Sequence, residues 1–245
     1  MRGWSLVALA AGVLFAASAS PAAASHSWGN YHWARTANPF TVPLGDNVAN
    51  TAASNWESAL TGASADWTRS SVLDSPVVPG LTTGRKCRAT EGRIEVCNAR
   101  YGFNGWLGVA QIWLVGGHIT KGTAKMNDSY FDSSRYNATA KRHVMCQEVG
   151  HGYGLDHQDE SGADLNTCMD YATALDNPSP NAHDYQQLEA MYSHVDATST
   201  ASGATAAEGG GKPAKVKRVD RVTTSTITEY YADGSRRVTH IVWAI

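Results

Sequence analysis

The chain has 245 residues, with 20 Lys and Arg against 22 Asp and Glu, a formal charge of −2 and 42% hydrophobic residues. So even a charge balance offers no electrostatic pull on nucleic acid or on an anionic membrane surface, and neither is expected as a partner. Past the N-terminal stretch no segment is apolar enough to span a bilayer, so no stable membrane insertion is expected after processing.

Met1 and Arg2 precede an apolar run over residues 4–17 and a small-residue stretch over 18–25 containing Ala22, Ala23 and Ala24. That pattern predicts a signal peptide over residues 1–24 and a secreted, extracellular product. The remainder reads as a mixed α+β domain over 25–196, a linker over 197–218 and a β-hairpin over 219–245. In chain order, Asn38 and Pro39 mark a turn and residues 40–44 a short strand. Trp56, Leu60, Ala63 and Trp67 recur at three- and four-residue spacing, which predicts an amphipathic helix within about 50–69 with those residues facing the core. Residues 71–78, 105–115 and 119–126 read as strands ended by Gly and Asn-Asp signals. A second helix is expected from an Asn137 cap to Gly152, where Gly152 and Gly154 let the chain turn away.

Four cysteines in an exported chain are expected to pair, and three connectivities are possible. Cys87 with Cys97 is favoured, because the residues between them read as a strand, a Gly-containing turn and a strand; Cys146 then joins Cys168. Zinc binding by these thiols would need a CxxC-like spacing that is absent. Residues 197–213 are rich in Gly, Ala, Ser and Thr and too poor in large apolar side chains to bury much surface. Beyond them, Asp233-Gly234 between two β-prone runs predicts a hairpin that docks on the domain or on a partner.

The chemistry concentrates in Gln147-Glu148-Val149-Gly150-His151-Gly152-Tyr153-Gly154-Leu155-Asp156-His157. Side chains four apart project from one helix face about 6 Å apart along the axis, so Gln147 and His151 converge on one point with Glu148 beside them. Gly154 lets the chain reverse, which brings His157 back as a third ligand and leaves a fourth position for water. This segment resembles the metzincin signature HExxHxxGxxH at every fixed position but the first, where Gln147 replaces a histidine. Cys168-Met169-Asp170-Tyr171 resembles the Met-turn of the same clan. The likeness is nearest to the matrixin-like and small secreted bacterial metzincins.

The resemblance implies a Zn2+ ion held by Gln147, His151 and His157, Met169 beneath it, and Glu148 as general base in hydrolysis of a protein or peptide substrate. Tyr171 would ligate zinc at rest or hydrogen-bond to charge developing in the transition state. The extended substrate would pair with an edge strand, for which residues 119–126 are the candidate. An amide oxygen binds zinc more weakly than imidazole, so a degenerate binding protein on the same scaffold is the rival reading. His143 stands eight residues from His151, about 12 Å along an unbroken helix, too far to share an ion with it. Asp156 and Asp159 flank His157 as ligand carboxylates or as groups that orient its ring. His118, His183 and His194 have no partner at ligand spacing and read as ordinary histidines. A monomer is expected.

Overall fold

The computed structural model describes residues 26–171, 173–201 and 214–244. The expected signal peptide and most of the expected linker lie outside them. The elements in order are β1 (His32–Trp33), β2 (Phe40–Thr41), β3 (Leu44–Asn47), α1 (Trp56–Trp67), β4 (Leu73–Asp74), β5 (Val77–Pro79), β6 (Ile94–Ala99), β7 (Trp106–Val115), β8 (His118–Asn127), α2 (Asp128–Phe131), α3 (Ala138–Gly152), α4 (Ala182–Met191), β9 (Val216–Arg221), β10 (Thr226–Tyr231) and β11 (Arg236–Trp243).

A mixed sheet runs β5-β3-β6-β8-β7-β11-β10-β9, with β1 joined to β8, while β2 and β4 form a separate parallel pair. Pairing is parallel from β5 through β8 and antiparallel from β8 through β9. The chain is thus α+β with a mixed sheet, and helices α1 and α3 pack against it.

Local sequence explains the elements that place the site. In β7, Gly108, Ala110, Ile112 and Leu114 are buried and from Val109 onward alternate with more exposed neighbours, the period-2 signature of a strand with one face on the core. Helix α1 begins at Trp56, the first residue of the apolar period and later than the expected bound near 50, because the Asn55 side chain caps it by accepting from Ser58 N at 3.1 Å. Its buried Trp67 donates Nε1–H to Cys146 O of α3 at 3.1 Å. Where α3 passes Trp67, a Cβ on Gly150 would lie 2.6 Å from the indole and 2.5 Å from Met169 Sδ, so only glycine admits this approach.

Several expectations change. Residues 40–47 split into β2 and β3 around Val42 and Pro43, and residues 71–79 split into β4 and β5. No strand forms between Cys87 and Glu91; Cys87 sits at φ +40° in a turn, and the chain reaches β6 only at Ile94. Helix α4 was not anticipated, although Asn181 and Asp184 form a capping box at its start. Strand β8, expected at a sheet edge, is interior and pairs with both β6 and β7.

The C-terminal region departs furthest from expectation. It contributes three strands, and β11 adds to the free flank of β7 over Arg236–Trp243. The reason lies in its own alternation: Val238, His240 and Val242 are buried, and they stand opposite Ile112, Ala110 and Gly108 on the core face of β7. Strand β9 begins at Val216, inside the stretch expected to be linker. Thr200 and Ala201, also in that stretch, are tied to Ala34 by backbone hydrogen bonds.

Candidate metal centre

Helix α3 carries the motif. Asn137 caps its start, accepting from Ala140 N at 2.9 Å, and residues 143–152 are all buried. After Tyr153 the chain turns at Gly154, where φ is +94° and a Cβ would overlap the carbonyl oxygen of Tyr31. Glycine is required there on both counts. The reversed chain is held by Trp28 N to Gly154 O at 2.8 Å and Asp156 N to His26 O at 2.7 Å, which fixes where His157 emerges.

His151 and His157 meet a third imidazole, His240 of β11. One ligand nitrogen from each lies within 4.8 Å of the other two. The ring centroids of His151 and His240 are 3.9 Å apart, those of His157 and His240 4.4 Å, and those of His151 and His157 5.0 Å. All three residues are buried.

Their hydrogen bonds decide which nitrogens are free. His151 Nδ1 lies 2.9 Å from Leu155 O and His157 Nδ1 2.7 Å from Glu160 Oε1. A carbonyl or carboxylate only accepts, so each Nδ1 carries a proton and Nε2 is the ring atom left to meet a cation. Among the described residues neither Nε2 has a hydrogen-bond partner, nor has either nitrogen of His240. Burial holds the His151 and His240 pKa values well below the ordinary histidine value, reinforced by the neighbouring imidazoles, so both rings are neutral near pH 7. Buried polar atoms without partners are rare in folded proteins. Three buried imidazoles with converging nitrogens, two of them oriented through the opposite ring nitrogen, fit a zinc ion with an open fourth position.

Glu148 faces β7 at Gly108 and Ala110, and Ala110 is the strand partner of His240. It is fully buried, and neither carboxylate oxygen has a hydrogen-bond partner among the described residues. Burial raises its pKa well above the ordinary glutamate value, and the nearby Ala110 backbone offsets part of that from a geometry short of a full hydrogen bond. Space for it exists because position 108 is glycine: a Cβ there would overlap Glu148 Oε1. Gln147 donates Nε2–H to Asp170 O at 2.8 Å, leaving Oε1 buried and unpartnered. Tyr171 lies 4.9 Å from His157 between ring centroids, and its hydroxyl bonds Ser225 Oγ at 2.6 Å, just before β10. Met169 lies beneath α3 at Gly150, and its backbone carbonyl accepts from Gln158 N at 2.8 Å. Disulfides join Cys146 to Cys168, tying α3 to this turn, and Cys87 to Cys97.

Of the two acids expected to flank His157, Asp156 accepts from the His157 backbone N–H at 2.9 Å and Asp159 bonds Ser161; the acid at the ring is Glu160, which was not among them. His143 is buried, with its pKa pushed down to about 4 by burial. Sequence reasoning passed over His240, which has no fixed spacing to the motif. The available signal was its place between Val238 and Val242 on the apolar face of an alternating strand.

No protein-family profile matches the chain, and no curated protein matches it. Among solved structures it is similar to high choriolytic enzyme 1, a hatching enzyme zinc-protease from Oryzias latipes, the medaka fish: 11% identity over 66% of this chain and 94% of that one, with a TM-score of 0.37. A likeness of that degree leaves the function to be argued from the side chains.

Proposed function

We propose that the protein is a secreted zinc-dependent endopeptidase of the metzincin type, with the ion held by His151, His157 and His240 and with Glu148 as general base. The observation that carries this reading is the set of buried, unpartnered imidazole nitrogens beside a buried glutamate. His240 supplies from a strand the imidazole that the helix lacks at Gln147, whose free Oε1 is the atom an amide offers a cation. When bound, zinc polarises the scissile carbonyl and lowers the pKa of the attacking water.

The rest of the chemistry belongs to side chains. A glutamate whose pKa is raised by burial is a stronger base than an exposed one, so Glu148 takes the proton of the attacking water and hands it to the leaving amine. Glu160 and the Leu155 carbonyl keep the two motif imidazoles in the tautomer that presents Nε2. Tyr171, released from Ser225, donates its hydroxyl proton in a hydrogen bond to the oxygen that gains charge. The substrate is a protein or peptide. With β8 interior and the flank of β7 occupied by β11, its binding place is the cavity lined by Gln147, Tyr171, Leu175, Val242 and Trp243, next in sequence to Glu148 through Gln147. The monomeric state is proposed with the rest; export rests on the N-terminal apolar stretch and on two disulfides, which call for an oxidising compartment.

One observation favours a second reading. Glu148 and the three imidazoles, one of them supplied by β11 itself, are all buried, as in a scaffold kept for binding with its chemistry closed off. Zinc content and chelator-sensitive cleavage of a peptide library separate the two, measured on the natural chain, Glu148→Ala, His240→Ala and Gln147→His. The endopeptidase reading expects cleavage in the natural chain, zinc without cleavage in Glu148→Ala, and loss of both central zinc and cleavage in His240→Ala. An inert natural chain that cleaves only as Gln147→His overturns it in favour of the degenerate scaffold.

A further inference from the structure

A second group of metal-ligating side chains lies outside the centre just described. It is assembled from three segments: His32 on β1, His118 at the start of β8, and His194 with Asp196 after α4. The parallel pairing of β1 with β8 sets His32 opposite His118. Asp196 N bonds Arg35 O at 2.8 Å and brings the third segment alongside. Ligand atoms of His32, His118 and Asp196 lie within 4.8 Å of one another.

The distances converge on one oxygen. Asp196 Oδ1 is 3.3 Å from His118 Nε2, 3.6 Å from His32 Nε2 and 3.7 Å from His194 Nε2. His194 Nε2 and His32 Nε2 are 3.2 Å apart. Donor atoms on a tetrahedral zinc at about 2.0–2.1 Å stand about 3.3 Å from each other. The second ring nitrogen of His32 is already used: Nδ1 lies 2.9 Å from Asn30 O, which only accepts, so a neutral His32 presents a lone pair at Nε2. Asp196 is oriented in the same way. Its Oδ2 takes the Arg35 guanidinium at 2.8 Å and the Arg35 peptide N–H at 3.2 Å, so Oδ1 is left facing the imidazoles and the carboxylate lies between them and the guanidinium.

We propose that His32, His118 and Asp196 form a second site for a zinc-class divalent cation, and that His194, whose Nε2 stands 3.2 Å from that of His32, completes it as a fourth ligand. A closed shell of this composition is structural in kind. It staples β1 to β8 and to the segment after α4. Strand β1 is only two residues long, and Trp28, shortly before it, stacks on His151 at 4.9 Å. The cation therefore stabilises the segment that walls one side of the central cluster, without entering its chemistry.

The test uses the full secreted chain, stripped of metal and titrated with zinc alone, reading bound zinc per chain and the thermal midpoint. Two zinc ions per chain are expected. His194→Ala, at a half-exposed position that leaves the core intact, and His118→Ala are each expected to bind one fewer and to lose most of the zinc-induced rise in midpoint, while cleavage persists. His240→Ala is expected to lose the other ion and keep this one, so the two sites fail separately. Zinc binding unchanged in both His118→Ala and His194→Ala overturns the proposal and leaves an imidazole-imidazole hydrogen bond between His32 and His194.

Discussion

The two histidine clusters gather metal-ligating atoms in opposite surroundings. The central one is buried and holds three imidazoles and no carboxylate, and Glu148, whose pKa burial has raised, faces the β7 residue that pairs with His240. The peripheral one is partly exposed and includes a carboxylate anchored by arginine. On the proposed assignment, an open shell of imidazoles in a buried site would leave an added cation's charge to act on a substrate and a water, because low-dielectric surroundings strengthen the interaction. A shell closed by Asp196 near solvent spends that charge on its own ligands. Burial and ligand charge, more than ligand number, separate a site suited to chemistry from one suited to holding segments together.

The largest expected effect that would break this contrast is on His240. Its replacement by alanine removes a central ligand while the peripheral one persists, and cleavage is expected to fall by about three orders of magnitude or more, since a metal's charge stabilisation is worth several kcal/mol. Cleavage at natural levels in His240→Ala would move the centre elsewhere. Glu148→Gln is next: zinc content should hold while kcat drops by about 10²–10⁴-fold, the usual contribution of a general base. A matched loss of zinc would make Glu148 a ligand instead.

Acid should separate the buried imidazoles from the exposed ones. His143 titrates near 4 in the folded protein against an ordinary 6.5. Between those values the unfolded chain binds a proton that the folded chain refuses, so stability is full above about 6.5 and is lost as pH falls toward 4. The gap corresponds to about 3 kcal/mol. Urea midpoints measured across that window should decline with falling pH, and His143→Leu should flatten the decline; an unchanged slope would place the acid sensitivity in other groups. Gly108→Ala tests how tightly the general base is seated. The added Cβ overlaps Glu148, and a destabilisation of about 1–3 kcal/mol is expected, measured by thermal melting, with reduced kcat. Smallest is Asn137→Ala, which removes the cap of α3 for about 1 kcal/mol and should lower the melting midpoint without changing zinc content.

Part of this arrangement was legible because its causes are local. Helix α3 follows from the Asn137 cap and the glycine exit, and the motif on it follows from helical spacing. Strands β7 and β8 follow from alternation. Helix α4 was overlooked because few of its side chains are large and apolar, although its capping box was written in Asn181 and Asp184. The strand expected after Cys87 failed because the local backbone turns there.

By itself the sequence determined where Glu148, His151 and His157 stand relative to one another, since spacing on one helix and a glycine turn leave the chain few alternatives. It likewise determined that Val238, His240 and Val242 share one face of a strand. Only the tertiary structure decided that this face meets α3, because the pairing of β11 with β7 is a long-range match of register and burial that no short window of residues encodes. The same holds for His32, His118, His194 and Asp196, which three separate segments bring to one point.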